Sequence, residues 1–66
     1  MKAYDFETLG KAKLLWHDMD ENERTGVRFG MFPFGKMQEA EREGFNGREL
    51  CLALMDCAKA DGGMRA

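Results

Sequence analysis

The side chains that could do chemistry in this chain form a short roster: His17, the only histidine; Cys51 and Cys57, the only cysteines; and the carboxylates of Asp18, Asp20, Glu21 and Glu23. His17 stands beside Asp18, a pairing from which a general base can be built, but a base needs a nucleophile or a substrate pocket to act on. The chain has no serine, and no neighbouring residue supplies either need. His17 reads as a surface or helix-end histidine. The cysteines fall in a strongly apolar stretch, where poor solvation raises a thiol's pKa and suppresses its reactivity. Six residues apart on one expected helix, they point about 120° away from each other, so an intrachain bridge would require that helix to break. Two reduced, buried thiols are expected.

Asp18-Met19-Asp20-Glu21-Asn22-Glu23 opens like a calcium loop, with oxygen ligands at its first, third and fifth positions. The pattern then fails. The sixth position requires glycine and holds Glu23; the twelfth requires a bidentate carboxylate and holds Phe29. The spacing of Cys51 and Cys57, with a single histidine, fits no zinc pattern. No metal, cofactor or catalytic residue is therefore expected, and with them no enzyme. Two uses remain for the acidic run. Asp20 and Glu23 have the spacing of a capping box, and Asp18, Asp20, Glu21 and Glu23 together could meet a basic surface on a partner.

Ten basic and twelve acidic residues leave a net charge of −2, with the two signs interspersed. Phosphate-backbone binding needs clustered Lys and Arg. The expected third helix sets Lys36 and Arg42 against Glu39, Glu41 and Glu43. The fourth carries Arg48 and Lys59 at the two ends of an apolar body. Neither suits a groove reader, although a symmetric dimer could gather Lys11, Lys13, Arg24 and Arg28 into a stripe. Direct nucleic-acid binding is the weaker expectation. No stretch approaches the roughly 18 apolar residues of a membrane span, and the N-terminal residues lack an apolar leader core. No membrane association and a cytoplasmic location are expected.

Any site would be positioned by helices. Only Thr8, Thr25 and Val27 are β-branched, and helix formers dominate. The pattern predicts an all-α fold: a compact bundle of three to four short helices at about 5–18, 20–31, 33–43 and 46–60, with the fourth central and residues 1–66 forming one domain. The first is capped by Asp5 and carries an apolar stripe of Phe6, Leu9, Ala12, Trp16 and Met19, with Leu15 extending it and Leu14 widening it. Gly10 within it would admit a neighbouring helix. The second starts at the Asp20 capping box and carries Val27, Phe29 and Met31. Pro33 opens the third, which turns Phe34, Met37 and Ala40 inward and ends at Gly44 in the left-handed region. The fourth begins with an Asn46–Glu49 capping box and a Phe45–Leu50 staple and buries Leu50, Ala53, Leu54 and Cys57. Asp61-Gly62-Gly63 should stop it, leaving 61–66 as a flexible tail.

The richest apolar stretch, Phe29 to Met37, coincides with the Gly30, Pro33 and Gly35 hinge between two helices. In a domain this small, Phe29, Phe32 and Phe34 are expected to fold back onto Trp16 and Leu54, because large apolar side chains are needed inside. The competing reading leaves some of Met31, Phe32, Phe34 and Met37 outside as an anchor patch for a partner or for a second copy in a homodimer. The expected function is non-catalytic protein binding, through the acidic residues or through this patch. An accessory protein of the kind phages and mobile elements use to inhibit a host complex fits, a nucleic-acid-handling complex being one target and anti-CRISPR proteins one instance. The alternative is a small dimeric transcriptional regulator that binds DNA.

Overall fold

The computed structural model describes residues 3–63 and contains four helices, α1 Phe6–Asp18, α2 Glu21–Arg28, α3 Phe34–Arg42 and α4 Gly47–Gly63. No strand occurs among the described residues. The fourth helix packs against each of the other three, as its apolar circumference predicts.

The start of α1 is set by Asp5, whose carboxylate accepts the Thr8 N–H at 2.8 Å. Its inward face is Thr8, Ala12, Leu15, Trp16 and Met19. The expected stripe is corrected at both edges, for Phe6 is 85 % exposed and Leu14 68 % exposed. Each stands two residues from a buried position (Thr8 and Ala12), which on a helix is about 200° around the axis. A side chain at Gly10 would meet open space, so no helix approaches there.

Both halves of the capping box start α2: Asp20 accepts the Glu23 N–H at 2.8 Å and Glu23 accepts the Asp20 N–H at 3.2 Å. The helix ends three residues sooner than the sequence suggests, stopped by glycine before proline can act. Gly30 adopts φ +85° and donates to the Val27 carbonyl at 2.9 Å, while Met31 donates to Gly26 at 2.7 Å. This is the Schellman pattern, which needs a left-handed residue just past the helix.

Pro33 caps α3 from one position before the first turn, with no side-chain hydrogen bond to the helix. Met37 and Ala40 face inward; Phe34, expected beside them, is 73 % exposed. A second Schellman pattern ends α3, with Gly44 at φ +108° donating to Glu41 and Phe45 donating to Ala40. It folds Phe45 back against the core.

Asn46 caps α4 by accepting the Glu49 N–H at 3.2 Å; the return bond from Glu49 is absent among the described residues. Leu50, Ala53, Leu54 and Ala58 are buried, and Cys57 is half-buried. The helix runs through Asp61 to Gly63, past its expected stop. Residues 64–66 of the expected tail lie outside the described residues. The Tyr4 hydroxyl donates to the Asp56 carboxylate, tying the segment before α1 to α4.

Candidate protein-docking surface

The α2–α3 connection is built by backbone rules. The Gly30 turn reverses the chain, and Pro33, lacking an N–H, begins the next helix. Six residues, Phe29 to Phe34, carry four large apolar side chains across this short connection. Only Phe32 packs against the core. Phe29 is 78 % exposed, Met31 66 % and Phe34 73 %. The expectation that Phe29, Phe32 and Phe34 all fold back into the core is thus corrected: of the three, only Phe32 packs against it. Of the four patch candidates, Met31 and Phe34 are on the surface and Phe32 is half-buried. Met37 is corrected: it is 7 % exposed and belongs to the core.

Phe29 was not among the patch candidates, yet it is the most exposed member of this segment. A sequence signal exists. Val27 faces the core, and Phe29 lies about 200° around the same helix.

The four predicted carboxylates are each capping or paired, while Asp18, Asp20 and Glu21 stay exposed. Asp20 is occupied as a cap. Glu21 accepts from Arg28 at 3.3 Å. Glu23 shares the capping box and lies 3.4 Å from the Lys36 ammonium, with Asp18 on the same ammonium at 3.9 Å. Asp18, Glu23 and Lys36 join α1, α2 and α3 at one edge of a cleft of about 540 Å³ that Pro33, Phe34, Gly35 and Glu39 complete. Phe34 therefore borders both the apolar turn and the acidic cleft.

The basic residues considered for a stripe are also largely engaged. Lys11 pairs with Glu43 at 2.8 Å. Arg28 spans Glu21 and Asp61. Arg24 donates to the Trp16 and His17 carbonyls at 3.0 and 3.3 Å, satisfying the carbonyl end of α1. Arg24 and Arg28 both place their guanidinium 5.6 Å from the Trp16 ring, within cation–π range. Lys13 is in no ion pair among the described residues.

His17 and Cys57 border one cleft of about 370 Å³, together with Lys13, Trp16, Arg24 and Asp61. No hydrogen bond joins the two among the described residues, and burial pushes the Cys57 thiol up, the reverse of what activates a nucleophile. Cys51 is pushed up for the same reason, with a smaller contribution from Glu41.

Fold and surface define a small all-α domain with an exposed apolar turn. Compared with known families, curated proteins and solved structures, the chain matches none. No helix among the described residues is long and apolar enough to cross a membrane.

Proposed function

We propose that this chain is a non-catalytic protein-binding module whose α2–α3 turn inserts Phe29, Met31 and Phe34 into a partner. The observation that carries the reading is the exposure of three large apolar side chains within six residues. A 66-residue domain has few such side chains with which to build a core, and leaving them in water forgoes about 1.5–3 kcal/mol each. Contact with a partner returns that free energy, and aromatic and Met side chains are the usual anchors of such contacts. Blocking of a host complex by a small accessory protein, an anti-CRISPR-type inhibitor being one form, fits a module of this size that binds through one exposed turn. The DNA-binding alternative is disfavoured by the engagement of Lys11, Arg24 and Arg28 within the fold.

The test compares two baits. Phe29→Ser, Met31→Ser and Phe34→Ser are combined in one variant, which should keep its helical circular dichroism and melt within a few degrees of the parent. A partner retained by the parent and lost by this variant supports the reading. Retention of the same partner by both baits would refute it, and retention on heparin with a steep salt dependence would move the function to nucleic acid.

A further inference from the structure

Resting on the apolar-turn reading, we infer that the partner presents a basic segment, with its apolar side chains on Phe34 and Met31 and its Arg or Lys side chains in the adjoining cleft of Asp18, Glu23 and Glu39. The charge of that cleft points this way. Three carboxylates border it against one ammonium, Lys36. Lys36 reaches Glu23 at 3.4 Å and Asp18 at 3.9 Å, whereas the Glu39 carboxylate has no ion pair or hydrogen bond among the described residues. Asp18 is the last residue of α1, where a carboxylate opposes the helix macrodipole. Its negative charge is held against local stability and only weakly countered by Lys36, so an arriving cation gains there.

The same cleft favours a peptide over a bare cation. Its floor includes Pro33, Phe34 and Gly35, the first turn of α3, which has no side-chain cap. The backbone N–H groups of an uncapped first turn seek acceptors, and the carbonyls of a visiting chain supply them while its side chains supply the positive charge. Phe34, on the rim, joins the two halves of the contact: a ring for the partner's apolar residues on one side and carboxylates on the other. Arg is the better fit, since its guanidinium stacks on rings and bridges carboxylates with the same group.

The experiment uses the full chain, labelled with 15N, and two synthetic amphipathic peptides of equal length, too short to fold as isolated helices and so with their carbonyls free. Both carry Leu on one face; one flanks it with Arg and the other with Glu. The Arg peptide should shift the amides of residues 30–39, and Asp18→Asn with Glu39→Gln should weaken it about tenfold. Neither substitution touches a cap or the core, and Asp18→Asn removes a carboxylate from the end of α1, so the variant should melt at or slightly above the parent. Equal binding of the Glu peptide, or shifts confined to α1 or α4, would overturn the basic partner. The two readings fail separately. If the serine variant loses its native partner while the two peptides bind alike, the apolar turn stands and the basic partner falls. If the serine variant binds the Arg peptide undiminished, that contact is purely ionic and the basic-partner inference falls, while the apolar turn stands or falls with the native partner alone.

Discussion

A few titratable residues, two before or at the start of α1 and two within α4, set how stability responds to pH. Hydrogen bonds from Thr8, side chain first and backbone second, hold the Asp5 carboxyl below its ordinary value. A depressed carboxyl contributes stability above its unfolded pKa of about 3.9, and that contribution is lost as pH falls through the lower folded value. The opposite arm comes from Tyr4, raised chiefly by its hydrogen bond to Asp56, and from the two thiols, raised by burial. Groups raised in this way contribute fully below their unfolded pKa values, about 8.5 for Cys and 10 for Tyr, and lose the contribution as pH rises through the folded values. Urea midpoints should therefore be level near neutrality and fall on both sides. Tyr4→Phe should flatten the alkaline arm; an unchanged arm would show that the Tyr4–Asp56 bond does not form in solution.

Elements are bounded by glycine chemistry, and the glycines divide into two kinds. Gly30 at φ +85° holds a backbone that L side chains rarely adopt, and Gly30→Ala should cost about 1–2 kcal/mol. Gly10 and Gly35 lie within helices with open space where a Cβ would stand, so Gly10→Ala and Gly35→Ala should each stabilise by up to about 1 kcal/mol. Chemical denaturation of the three variants gives opposite signs if these assignments hold. Gly35→Ala has a further use, since it firms the start of α3 beside Phe34 without altering the ring itself.

Across the whole molecule, α4 is the common partner of three helices that lean little on one another. Leu54 is fully buried on it, and Leu54→Ala should cost about 2–5 kcal/mol, enough to leave a domain of this size largely unfolded at 37 °C. A variant that melts within a few degrees of the parent would mean that α4 is not the hub. Shape explains the exposed rings. The molecule measures 34 × 28 × 17 Å, and its thinnest dimension is less than two helix diameters of about 10–12 Å. One layer of side chains fills such a slab, and any large residue on an outer face has nothing of its own chain to cover it.

Much was legible from the sequence because it is decided locally. The Asp5 and Asp20 caps, the Gly44 terminator, the Leu50, Ala53 and Leu54 face and the central place of α4 follow from spacing, helix propensity and backbone sterics within a few residues. The sequence also marked Phe29 to Met37 as the richest apolar stretch, at the hinge between α2 and α3. It could not say which rings face outward, because that depends on how many sides of each helix the remaining chain can cover. The fold answered by covering α2 and α3 mainly from the α4 side. It took Met37 and Phe32 inward and left Phe29, Met31 and Phe34 in water. Likewise the run from Asp18 to Glu23 reads as one acidic patch in the chain; its capping box is local, but its ion pairs and its cleft wall form only in the fold, where Arg28 reaches Glu21 and Lys36 reaches Glu23 and Asp18. Local sterics fix the elements; the limited supply of covering surface in 66 residues decides what is left for a partner.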